Sequence, residues 1–175
     1  GSIAKNLAVY SAFTEGLQLF SSFVILLNFP RFGKMKGMGQ IVSYSIKDES
    51  LHVEAMTKLF REFIQENNEI WTDDFKGEIY QACRDMVDLE QKFLDLVFEM
   101  GDIQGLTREE MRKYVEYIAD RRLLQLGLKP NYEVKDCPLD WLDDVLGVEH
   151  QNFFEGRATS YMKAGLRGKQ ERVRF

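Results

Sequence analysis

Between Pro30 and Pro130 the chain contains no proline, and the only other one is Pro138. A proline inside a helix removes a backbone donor and clashes with the preceding turn, so long proline-free stretches with apolar residues three and four apart read as helices. Four long helices account for most of the sequence. The first is expected from about Ile3 to Phe29, stopping before Pro30, and the second from about Met38 to Glu66 after a basic, glycine-containing turn. The third is expected from Thr72 to Met100, with Asp73 and Asp74 near the positive end of its dipole and Gly101 closing it. Thr107-Arg108-Glu109-Glu110 forms a capping box for the fourth, which runs to about Leu126 and ends at Gly127. Residues 130–138 read as loop, 139–146 as a short helix, and Gln151 to Ala164 as a last helical segment before a basic tail. The fold class is therefore all-α. With no repeat, linker or low-complexity stretch, residues 3–175 are expected to form a single domain. Gly1-Ser2 reads as a remnant of tag removal, with native chain extending upstream.

Composition narrows the function classes. At 175 residues, 45% of them hydrophobic, the chain has apolar material for a sizeable core. Cys83 and Cys137 fit neither a metal-ligand spacing nor a disulfide framework, which points to a reducing, cytoplasmic location. A net charge of −5 gives no electrostatic reason to expect nucleic acid or an anionic membrane as a partner. Leu7 to Phe29 is long and apolar enough for a membrane span. Against that reading, it carries Tyr10, Thr14, Glu15, Gln18 and Asn28, and a carboxylate in mid-span is costly to insert. A helix apolar nearly all round is more simply the central helix of a soluble bundle.

Glu15 is then the residue to explain. An unpaired carboxylate in a dry interior costs several kcal/mol or takes up a proton, so such groups persist where a cation, a metal or hydrogen bonds compensate. A salt bridge to Lys47 or Lys58 on the next helix would suffice. A second possibility comes from Glu49 and His52, which stand at i and i+3 and so project from one face of the second helix. Glu15 lies fourteen residues before the end of the first helix and Glu49 eleven after the start of the second, about 21 Å and about 17 Å at the helical rise. The two sites fall at similar heights on neighbouring helices. Carboxylates with imidazole suit iron or manganese better than structural zinc. The set is only half of a di-metal carboxylate site, because the other histidine, His150, has Gly147 and no carboxylate three residues before it.

Lys47-Asp48-Glu49-Ser50-Leu51-His52, preceded by Thr14-Glu15-Gly16, resembles the radical-generating small (beta) subunit of class I ribonucleotide reductase. Further matches follow in order: residues 117–123, 125–128 and 138–141, then Asn152-Phe153-Phe154-Glu155 and Arg157 to Tyr161. The similarity covers nearly the whole chain and corresponds to the C-terminal half of the family's usual length. It implies a ferritin-like helical bundle, incomplete in this chain, around a di-iron or manganese–iron centre. Glu15, Glu49 and His52 would be metal ligands, with Glu49 able to bridge both ions. Asp48 would serve radical transfer, hydrogen-bonded to a histidine on the first metal, and Leu19 and Phe23 would line an apolar pocket by the oxygen-binding face. The implied activity is reduction of ribonucleotides to deoxyribonucleotides on a separate large (alpha) subunit, by a homodimeric small subunit. The remaining ligands and the radical-bearing residue belong to a missing N-terminal half, so this chain alone is expected to be inactive. Two other function classes stay open: a ferritin-like di-metal oxidase or oxygen-binding protein, and a metal-free structural helical fragment.

Overall fold

Small residues recur every four positions at the start of the chain, at Ala4, Ala8, Ala12 and Gly16, and Phe20, Val24 and Asn28 continue the series; all seven are buried. On a regular α-helix a spacing of four drifts by about 40° per step, so six steps would carry the series well round the cylinder. The computed structural model, which describes residues 2–145, shows how the face stays constant. About two α-helical turns, α1 (Ser2–Ala8), pass into a π-helical stretch (Val9–Gln18) and then into α2 (Leu19–Arg31). The wider π turn, with its i→i+5 bonds, offsets the drift. The expected first helix is thus present but is not a uniform α-helix.

Nor does it stop before Pro30, which lies inside α2. Termination comes later. The amides of Phe32 and Lys34 bond to the Phe29 carbonyl at 3.1 Å each, that of Gly33 bonds to Pro30 at 2.9 Å, and Gly33 takes a φ of 74° that a Cβ would disfavour. Pro30 withholds the amide that would bond the Leu26 carbonyl, but the helix runs one residue further and the left-handed glycine sets the boundary. Helix α3 (Lys36–Glu66) turns straight back beside α2, and a Cβ added at Gly39 would lie 2.4 Å from Pro30 Cγ.

Trp71 joins the end of α3 to the next helix, its ring edge-on to Phe60 at 5.9 Å and to Phe75 at 6.2 Å. Helix α4 (Asp73–Val97) is capped by the Thr72 hydroxyl, which accepts from the Phe75 amide at 3.2 Å, and it ends three residues before the expected Met100. Helix α5 (Arg108–Gln125) begins with the expected Thr107–Glu110 capping box, and Gly127, at φ 83°, follows its C-terminal end. Each of these ends is written locally, in a hydroxyl and a glycine, which is why the sequence places them within a few residues. Residues 130–138 are irregular, residues 141–145 are helical, and the described residues contain no strand. The expected segment Gln151 to Ala164, the motifs at 152–161 and the basic tail lie outside the described residues.

The π stretch sits among α3, α4 and α5, so the first helix is the hub of the bundle. By length and composition Ile3–Arg31 could cross a membrane, yet Phe13, Leu17, Val24 and Leu27 are each at most 1% exposed within the helical core. Core packing accounts for the hydropathy. Truncating one such side chain, for instance Phe60→Ala at 1% exposure, would cost roughly 3–5 kcal/mol.

Candidate metal centre

Glu15 projects from the π stretch and Glu49 and His52 from the middle of α3. The expected heights agree with the geometry: ligand atoms from all three residues lie within 4.8 Å of one another. His52 Nδ1 is 3.2 Å from Glu15 Oε2, while Lys58, one of the two cations considered for Glu15, pairs with Glu54 at 2.7 Å. Glu15 is not sealed in a dry interior; its side chain is 31% exposed and that of His52 62%. The face they share is one that no described element covers fully. Glu49 is more enclosed, and its Oε2 is buried with no hydrogen-bond partner among the described residues.

A buried carboxylate oxygen without a donor is uncommon and calls for a cation, a proton or a partner group. With a second carboxylate and an imidazole converging beside it, the donor set fits a hard or borderline divalent ion of the iron and manganese type. Asp48 is exposed and outside this cluster. Leu19 is 38% exposed, and the half-buried Phe23 stands edge-on to Phe20 at a centroid distance of 6.0 Å.

Three buried charged side chains were given no role by the sequence, although Asp120 and Arg122 lie in the family-like segment 117–123. Arg122 of α5, 8% exposed, donates from Nε to the Gly16 carbonyl at 2.8 Å, lies over the Phe20 ring at 4.9 Å and bonds Gln125 through Nη1. Burial pulls its guanidinium down to about 10. Glu90 of α4 accepts from the Ser21 hydroxyl, and burial pushes its carboxyl up against the opposing effect of that bond. Asp120, 2% exposed, accepts the amides of Asn131, Tyr132 and Val134 at 2.7, 2.9 and 3.0 Å and so folds the segment after α5 onto the bundle. In sequence, Asp120-Arg121-Arg122 carries a family resemblance but no local sign that its charges are buried. The signal available for Arg122 was its position two helical turns after the buried Tyr114 and Val115.

An all-α bundle that brings two carboxylates and an imidazole together from adjacent helices is of the ferritin-like, di-metal carboxylate class. The family model for the ribonucleotide reductase small chain matches residues 2–138, and the chain belongs to that family. A protein of Invertebrate iridescent virus 3 assigned as a ribonucleoside-diphosphate reductase small subunit is 45% identical over 95% of this chain and 45% of its own length. The ribonucleoside-diphosphate reductase subunit beta of Chlamydia pneumoniae is 36% identical over 94% of this chain and 47% of its own. Among solved structures, a ribonucleotide reductase R2 subunit from Clostridium botulinum superimposes with a TM-score of 0.75 at 29% identity, over 79% of this chain and 44% of that one. The chain spans about half the length of the relatives it matches.

Proposed function

We propose that this chain is the C-terminal portion of the small subunit of a class I ribonucleoside-diphosphate reductase and supplies half of its metal-binding residues. The observation that carries the reading is the orphaned Glu49 Oε2 beside Glu15 and His52. Membership of the small-chain family supports it, and supports a separate large subunit as partner. The other ligands come from an N-terminal half paired against the open face of the π stretch and α3. The assembled subunit is a cytoplasmic homodimer, in keeping with the two unbridged cysteines.

When bound, a di-iron or manganese–iron pair would supply the one-electron oxidant that ribonucleotide reduction requires. The chain's own residues do the rest. Glu49 offers a buried oxygen with no competing donor, so the carboxylate is held in readiness for a cation. Glu15 Oε2 stands 3.2 Å from His52 Nδ1, so the carboxylate and the imidazole would converge on a shared ion. Asp48, beside Glu49, accepts a hydrogen bond from a histidine of the missing half and carries the radical-transfer route. Leu19 and Phe23, one and two turns beyond Glu15, keep water from that side of the site.

Metal content decides the reading. In the reconstituted whole subunit, loaded anaerobically with ferrous iron, Glu49→Ala or His52→Ala should abolish uptake with helicity unchanged by circular dichroism. Unaltered iron stoichiometry in both variants would sink it. Asp48→Ala should keep the metal yet stop nucleotide reduction with the large subunit present, because it removes a hydrogen-bond acceptor and no ligand. Full turnover in that variant would take Asp48 out of the mechanism, and metal binding without any large-subunit dependence would favour a stand-alone oxidase.

A further inference from the structure

Glu15 can meet Glu49 and His52 only in one helical register. It lies in the π stretch, and if Val9–Gln18 relaxed to ordinary α geometry, residues on one side would rotate by about 100° relative to the other for each residue of offset. Such a stretch is not the intrinsic preference of a polypeptide, so something around it must favour the π form. Where an i−5 ladder gives way to an i−4 ladder, moreover, a backbone carbonyl loses its amide donor and needs another.

Arg122 supplies a donor to a carbonyl inside the stretch. Its side chain is buried, its Nε–H reaches the Gly16 carbonyl at 2.8 Å, and its guanidinium is stacked on Phe20, one turn further along the same helix. Gly16 fits this contact closely. A Cβ there would lie 2.6 Å from Arg122 Nε and 3.0 Å from the Ser11 carbonyl oxygen, so the approach of α5 depends on a residue without a side chain next to Glu15. The Ser21–Glu90 hydrogen bond then holds the first turn of α2 on the far side of the stretch.

We infer that Arg122 is a positioning residue: by bonding the Gly16 carbonyl inside the π stretch, it fixes the register that turns Glu15 toward Glu49 and His52. The inference rests on the metal reading for what Glu15 does there, but not for the anchoring itself. No hydrogen bond or ion pair joins Arg122 to the side chains of the three candidate ligands among the described residues; it acts through the backbone next to one of them.

The test uses the whole subunit, this chain reconstituted with its N-terminal half, and two readouts. Without metal, amide hydrogen exchange is followed across residues 9–18, with residues 73–97 of α4 as internal reference. Arg122→Met, which keeps the apolar stem and removes the donors, should speed exchange at least tenfold in 9–18 relative to α4. Gly16→Ala, which leaves Arg122 in place but blocks its approach, should do the same and serves if Arg122→Met fails to fold. Arg122→Lys should recover part of the protection. In the second readout, cobalt(II) is titrated against its visible absorption, and both disruptive variants should bind it about tenfold more weakly than the unaltered subunit. Unchanged relative exchange together with unchanged cobalt affinity in Arg122→Met and Gly16→Ala would overturn the inference. An unaltered subunit that takes up no cobalt would count instead against the metal reading, and the exchange arm alone would then decide the role of Arg122.

Discussion

Asp120 and Glu49 are both carboxylates withdrawn from water, and the fold treats them in opposite ways. Asp120, at the corner where α5 runs into the following loop, is saturated: three backbone amides converge on its two oxygens. Glu49, at the middle of α3, has a buried oxygen that no donor among the described residues reaches. The first arrangement stabilises the folded chain at once, because each amide–carboxylate bond is charge-assisted and replaces a loop amide's bond to water. The second withholds that stabilisation and leaves a charge to be satisfied from outside. Glu90 is intermediate, a buried carboxyl with one hydroxyl partner that resolves its burial by holding its proton more tightly.

The contrast predicts a graded series of stabilities, measured by urea unfolding of the metal-free chain. Asp120→Ala should be the most damaging, costing about 3 kcal/mol, since it leaves three amides near the core without an acceptor. A loss below about 1 kcal/mol would mean that water replaces the carboxylate and that the corner is not saturated in the sense argued.

Glu90→Gln should have an effect that changes with pH. The folded-state carboxyl titrates above its ordinary 4.5, so both folded and unfolded chains bind the proton below that pH and the burial costs least there. As pH rises past 4.5 the unfolded chain releases its proton first, and stability falls until the folded carboxyl ionises as well. The variant has no proton to lose. It should therefore gain on the unaltered chain as pH climbs from 4.5 toward neutrality, and parallel stability curves for the two would refute the protonated-Glu90 account.

Glu49→Ala should be the mildest, within about 0.5 kcal/mol of the unaltered chain in the absence of metal, because no hydrogen bond to its buried oxygen is lost. A loss as large as that of Asp120→Ala would show that Glu49 has a structural partner and would erase the comparison.

The sequence made the helices and their caps legible because those signals are local: Thr72, the Thr107–Glu110 box and Gly127 each act on the backbone within a turn of themselves. It also made the Glu15–Glu49–His52 cluster legible, since the rise per residue and a short turn are enough to set two heights. The π stretch is less legible, because the four-residue spacing of Ala4, Ala8, Ala12 and Gly16 that carries it lies close to the 3.6-residue period of an ordinary α-helix. Arg122 and Asp120 were hidden for a different reason. Their roles are defined by what packs against α5, the Gly16 carbonyl 106 residues away and the amides of the next loop, and neither is encoded near them in the chain. Helix α2 passed through Pro30 because the deciding element was Gly33 beyond it.

The near contact of Pro30 with position 39 has a consequence for how this protein tolerates change. Surface turns ordinarily accept insertions and deletions more readily than the elements they join. The turn between Arg31 and Lys36 is an exception, because α2 and α3 leave it almost touching, and the ligands on either side are aligned by counting residues from it. One inserted residue taken up by α3 would slide Glu49 and His52 by about 1.5 Å and rotate them by about 100° relative to Glu15. Length variation here should thus be as destructive as loss of a ligand, although the turn itself binds nothing.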